Sequence, residues 1–144
     1  MIDRIFSDPA MSVLRQALDA SSVTHETISH NLANVDTPGY KRSEVVFQDK
    51  LAAALRDMTE SSSKLQGALT NPAHIAINEP APLDSVKPSV YVRAETTLRP
   101  DGNNVDIDSE MTKLSQNMLV YQTLTQLVGS KIAQLRTAIS EGRR

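Results

Sequence analysis

The side chains best suited to chemistry in this sequence are three histidines, His25, His30 and His74, and two closely spaced aspartates, Asp106 and Asp108. Two histidines on one helix face can ligate a metal ion. His25 and His30 are five residues apart, about 140° around a helix, so they do not share a face, and no carboxylate pair completes a ligand set. His25 reads as a packed, hydrogen-bonded histidine, and His74, among prolines, as a surface residue. Paired acids can serve general acid–base catalysis, but Asp106 and Asp108 stand where an apolar-periodic run begins, and helix capping accounts for them. There is no cysteine, which removes disulfides, thiolate metal sites and cysteine nucleophiles together. No Gly-rich phosphate loop or nucleophile elbow is present. The residues therefore predict no catalytic, cofactor or metal site, and a protein that is not an enzyme.

The elements that would position any functional residue are two long amphipathic runs at the ends of the chain. Ser7-Asp8-Pro9 is a helix start, a capping side chain followed by proline in the first turn. From there Met11, Leu14, Leu18, Ser21, His25, Ile28, Leu32 and Val35 alternate steps of three and four, a heptad seam with a polar waist at Ser21 and His25. A helix over residues 9–34 would be about 39 Å long. At the other end, behind caps at Asp106, Asp108 and Ser109, the same steps run through Met111, Leu114, Met118, Tyr121, Thr125, Val128, Ile132, Leu135 and Ile139. A helix over residues 109–140 would be about 48 Å long. Leu119, Val120, Leu124 and Leu127 widen its apolar stripe beyond what one partner helix covers.

The expected fold is therefore mainly α, two long heptad helices packed as a coiled-coil-like pair around an irregular, Pro-rich middle. The sequence divides into residues 1–40, 41–108 and 109–144 as one structural unit. The middle holds five of the seven prolines, Pro72, Pro80, Pro82, Pro88 and Pro100. A short helix is expected over residues 48–57, a flexible connector at Ser61-Ser62-Ser63, and short strands over 74–78 and 89–97, enough for a small hairpin. Asp101-Gly102-Asn103-Asn104 reads as a turn.

Composition narrows the function further. The chain has 144 residues, 40% hydrophobic, but its only aromatics are Phe6, Tyr40, Phe47, Tyr91 and Tyr121, thin material for a self-sufficient core. The net charge is −2 with basic residues scattered, which argues against nucleic-acid binding. No apolar run approaches the ~18 residues of a membrane span, and the first residues carry no continuous apolar core of a secretory signal. Two stripes that such a chain cannot cover alone favour association, and contacts that repeat without closing give a helical filament.

The most specific segment is ISHNLANVDTPGYKR, residues 28–42. Ile28, Leu32 and Val35 end the helical spacing, and Asn31 and Asn34 offer short side chains for freed backbone groups. Thr37 precedes proline and is pushed from the α region. Pro38-Gly39 then supplies the two central positions of a type II turn. The string Asn-Leu-Ala-Asn-x-x-Thr-x-Gly-Tyr resembles the N-terminal signature of bacterial flagellar rod and hook proteins. The closing run, with Tyr121-Gln122, is similar to that family's last helix, so both ends of the chain carry the likeness. Length and the lack of a large inserted domain make the chain most like the proximal members of the basal-body rod family.

The resemblance implies a structural subunit that polymerises through its terminal helices into the hollow, torque-transmitting proximal rod. The partners it implies are copies of itself, other rod subunits, and the export gate and membrane ring at the rod base. Residence in the periplasmic rod, after type III export without a cleaved signal peptide, follows from the same likeness. So does an assembly-motif role for Asn31, Asn34, Thr37, Gly39 and Tyr40. Phe47-Gln48-Asp49-Lys50-Leu51 fits the family's Phe-x-x-x-apolar export motif, or else Phe47 and Leu51 are one face of the middle helix. The alternative class is a cytoplasmic helical adaptor or export chaperone, which would also expose amphipathic ends.

Overall fold

A computed structural model describes residues 8–61, 83–94 and 99–141. These residues form three helices, α1 (Pro9–Ala33), α2 (Gln48–Ser61) and α3 (Ile107–Glu141), two short strands, β1 (Ser43–Val46) and β2 (Ser89–Val92), and a 3-10 turn, Leu83–Ser85. The mainly α architecture with two long terminal helices is as the periodicity predicts.

Both long helices begin where a side chain can cap them. Asp8 Oδ1 accepts the Ala10 amide at 3.1 Å, with Pro9 in the first turn, where no amide donor is needed. Asp106 Oδ1 accepts the Asp108 amide at 3.0 Å, so α3 starts at Ile107, two residues before the expected point. The helices run antiparallel, joined by polar rungs at three levels. Asp8 meets Lys131 at 2.8 Å, Ser21 Oγ donates to Asn117 Oδ1 at 2.8 Å, and Asn31 Nδ2 donates to Glu110 Oε2 at 2.9 Å. Asn117 Nδ2 returns a bond to the Ser21 carbonyl at 2.9 Å. A polar pair inside an apolar seam fixes register, because any slip leaves buried amides unpaired. Beyond Lys131, α3 continues to Glu141, past the start of α1.

The middle departs from expectation in several places. α2 reaches Ser61 rather than stopping at Asp57, so Ser61 ends a helix and does not open a flexible connector; Ser62 and Ser63 lie outside the described residues. The strand expected over 74–78 lies outside them too, and the one over 89–97 is confined to Ser89–Val92 with 95–98 not described. Its partner is β1, antiparallel with Ser43 opposite Val92 and Val46 opposite Ser89. The two strands flank α2 in sequence, so this is not a tight hairpin. Four residues with no turn signal, paired to a distant segment, leave no local trace of β1.

The two strands differ in exposure, with Val45 and Val46 of β1 half-buried beside the cleft. Val90 and Val92 are exposed, whereas Glu44, Tyr91 and Arg93 border the cleft toward α1 and α3. Arg93 stacks on the Tyr91 ring, 5.0 Å from its centre. Its Nε lies 2.8 Å from Glu44 Oε2 and holds that carboxyl below its ordinary value; partial desolvation opposes this and the Tyr91 hydroxyl assists. A carboxyl depressed in this way contributes stability that is fully present above its ordinary value of 4.5 and is lost as pH falls through the lower folded value. Glu44→Gln is therefore expected to lower the melting temperature near neutrality, where the ion pair contributes fully, and to leave it nearly unchanged at strongly acid pH, so that the drop on acidification is flattened. Melts on either side of that pH check the sign, and an unchanged acid slope refutes it.

Candidate assembly junction and helix face

Polar side chains dominate the interior where α1 ends. Among the described residues the buried apolar set is Ala20, Ile28, Phe47, Leu83 and Val105, against buried Gln16, Ser21, Thr27, Asn31, Asn103, Asn104 and Glu110. Buried polar groups are tolerated when bonded and costly when not, so the junction depends on its hydrogen-bond geometry.

Asn31 is wholly buried and bonds in four directions. Its Nδ2 donates to the Ser43 carbonyl at 2.8 Å and to Glu110 Oε2 at 2.9 Å; its Oδ1 accepts the Ser43 amide at 2.9 Å and the Tyr40 hydroxyl at 3.3 Å. It thus pairs with β1 as a neighbouring strand residue would, and reaches α3 with the same amide. Glu110, 2% exposed, is compensated by Lys113 at 2.7 Å and Arg42 at 3.9 Å.

The chain leaves α1 through a cap and a turn. Asn34 Nδ2 donates to the His30 carbonyl at 2.8 Å, and Thr37 Oγ1 donates to Asn34 Oδ1 at 3.3 Å. Tyr40 N donates to the Thr37 carbonyl at 3.3 Å across Pro38-Gly39, and Gly39 has φ +73°, which supports the expected turn. Gly39 N also donates to the Asp101 carbonyl at 2.9 Å. An added Cβ there would meet nothing within 4 Å, so only backbone conformation demands glycine. Gly39→Val is expected to cost about 1–2 kcal/mol through the positive φ. Urea unfolding reads this cost, and an unchanged stability sinks the claim that the turn needs glycine.

Residues 99–104 complete the junction from the other side. Asn103, fully buried, directs Nδ2 at the carbonyls of Asn34, Val35 and Thr37 (3.0, 2.9 and 3.0 Å), while its Oδ1 accepts the Val105 amide at 2.7 Å. Asn104 closes the sheet where the strands part, accepting the Arg42 amide at 2.7 Å and donating to the Arg93 carbonyl at 2.8 Å. Lys41 Nζ reaches the Gly102 carbonyl at 2.7 Å. The sequence marks Asn103 and Asn104 only as turn residues and does not single out Glu110. The available signal was two adjacent asparagines just before a capped helix, and an acid on that helix's inner side.

The expected packing residues divide between covered and open positions. Ile28 is buried, and Met11, Leu14, Leu18, Leu32 and Val35 are half-buried. His25 is exposed, contrary to the packed role expected of it, because α1 also buries Gln16, Ala20 and Thr27, with β1 and the Leu83 turn packed along the helix. Phe47 is buried and Leu51 half-buried, with Phe47 supplying the carbonyl that accepts the Leu51 amide at 2.9 Å.

On α3 the heptad separates into two rows. Leu114, Val128 and Leu135 are half-buried, whereas Met111, Met118, Ile132 and Ile139 are 49%, 52%, 54% and 64% exposed. With Thr125 between them, the open residues repeat every seven positions, along one flank of the helix. Tyr121 is 45% exposed. Half the seam is thus used within the chain, and half faces solvent.

Among the described residues no cluster of His, Asp or Glu could hold a metal, and no helix is long and apolar enough to cross a membrane. A family model described as flagella basal body rod protein matches residues 11–41, which span α1 and the Pro38-Gly39 turn. The flagellar basal body rod protein FlgB of Bacillus subtilis is 34% identical over 130 residues, covering 90% of this chain and 92% of that protein. FlgB of Borrelia hermsii is 39% identical, covering 82% and 86%, and FlgB of Yersinia enterocolitica is 29% identical, covering 99% and 100%. The likeness therefore runs through the middle segment as well as both ends, and the chain belongs to the flagellar basal body rod proteins of the FlgB kind, structural subunits of the rod.

Proposed function

We propose that the chain builds the proximal part of the rod, polymerising through α1 and α3 into a hollow shaft that passes torque and conducts exported subunits. The observation that carries this is the open row Met111, Met118, Ile132 and Ile139, apolar and repeating every seven residues on a helix whose other row already packs on α1. Burying apolar surface at about 25 cal/mol per Å² is a steady drive for neighbours to cover it. The partners are copies of the chain and other rod subunits, with the export gate and membrane ring at the base. The working units are residues 1–40 and 109–144 as the assembling pair and 41–108 as the outer segment.

In this reading Asn31 and Tyr40 act from inside the subunit by holding the junction, whereas Asn34, Thr37 and Gly39 shape the turn that neighbours meet. Export through the type III gate, without a cleaved signal peptide, suits a chain that travels unfolded. The burial of Phe47 means an export receptor would meet Phe47 and Leu51 before folding.

Ile132→Glu tests the proposal. The side chain is half exposed, so the monomer should keep its stability to within about 0.5 kcal/mol. Purified basal bodies should lack rods, since a charge on an apolar interface carries a desolvation cost. Complete rods in that variant, or a chain found only in the cytosol as an adaptor would be, overturns the assignment.

A further inference from the structure

The open row of α3 has a chemical property that its packing role does not require: two of its members are thioethers. The chain has five methionines, no cysteine and no tryptophan, so methionine sulfur is its most readily oxidised group. Met111 and Met118 are 49% and 52% exposed, two turns apart on the same flank. Met11 and Met58 are only half-buried to solvent, Met58 within an apolar groove lined by α1, α2 and α3, and Met1 lies outside the described residues.

We propose that Met111 and Met118 are an oxidation site whose state sets whether the unassembled subunit can join the rod; this rests on the assembly reading above. The oxidant is a peroxide or another two-electron oxygen donor. The sulfur lone pair attacks the distal peroxide oxygen, the O–O bond breaks and an S–O bond forms. Sulfur loses two electrons, and the released hydroxide takes the proton of the transferred oxygen to leave as water. The product is polar and chiral where a soft apolar side chain stood. Placed at two of the four apolar positions of the row, it removes the surface a neighbour would cover. Assembly itself would shield both sulfurs, so the sensitive species is the free subunit. Methionine sulfoxide reductases reverse the change.

Peptide mapping of the full-length chain during hydrogen peroxide treatment tests the first part. Sulfoxide at Met111 and Met118 should form several-fold faster than at Met11 and Met58, and reductase treatment should return both to the thioether. Equal rates at all four overturn the site. The polar stand-in M111Q/M118Q, made in a flagellated cell, tests the consequence: unchanged melting of the purified chain, with rods lost from basal bodies. If M111Q/M118Q builds complete rods while Ile132→Glu does not, the oxidation proposal falls and the assembly reading stands. If both build complete rods, the assembly reading falls with it.

Discussion

Asn31→Ala is expected to lower the unfolding free energy by about 3–5 kcal/mol. Alanine removes a fully buried amide and leaves the Ser43 N–H, the Ser43 carbonyl and one oxygen of Glu110 without their partner. Each orphaned buried group costs about 1–3 kcal/mol. The Glu110 carboxylate keeps Lys113 and Arg42, which limits the loss. Asn31→Asp should be worse, because it sets a second carboxylate against Glu110 and deletes both donors. Urea unfolding gives the magnitude, and an Asn31→Ala, Glu110→Gln double-mutant cycle should return a coupling of about 0.5–3 kcal/mol. A loss under 1 kcal/mol for Asn31→Ala would mean that the amide is not holding the junction.

This expectation alters what the asparagine of the NLAN string means. Sequence places Asn31 and Asn34 beside a helix end, where local capping is the natural reading, and Asn34 does cap α1. Asn31 instead serves partners far away in sequence, at Ser43 and Glu110. Caps and turns were legible because their physics is local: Asp8-Pro9, Asp106 and Pro38-Gly39 each act within a few residues. The heptad repeat located both long helices for the same reason. It could not say which row would face the partner helix, since both rows are apolar and only tertiary packing separates them. Nor could it reveal the second buried side of α1, where Gln16, Ala20 and Thr27 are amide, small or hydroxyl residues. Periodicity counts apolar residues, and here Gln16 reaches the neighbouring turn by donating to the Leu83 carbonyl while Thr27 bonds back to Val23 of its own helix.

The junction and the open row are connected by geometry. The bonds of Asn31 and Glu110 fix where α3 starts relative to α1, and the Ser21–Asn117 and Asp8–Lys131 rungs carry that register along the pair. Register then decides which row of α3 is covered. A slip of one residue would turn α3 by about 100° and bring the open row toward α1. The polar rungs therefore protect the apolar surface that assembly uses, even though none of them lies on it.

Asn103→Ala tests that dependence from the opposite side of the junction and should cost about 2–4 kcal/mol. Asn103 is fully buried, and its Nδ2 serves the carbonyls of Asn34, Val35 and Thr37, just past the end of α1. Helix ends leave carbonyls without intrahelical donors, and one side-chain amide here takes the place of several local caps. Asn103→Asp separates the two halves of the side chain. It keeps an acceptor for the Val105 amide, at 2.7 Å in the native chain, but turns a carboxylate toward three carbonyls at the negative end of the α1 dipole. The aspartate variant should therefore be less stable than the alanine one, the reverse of the order expected if Val105 were the bond that matters. Loss of protection should centre on the Gly39 amide, which donates to the Asp101 carbonyl next to this site, and spread along the last turn of α1. Hydrogen exchange of both variants reads this out. Retained protection at Gly39, or an aspartate variant more stable than the alanine one, would show that the turn closes without Asn103.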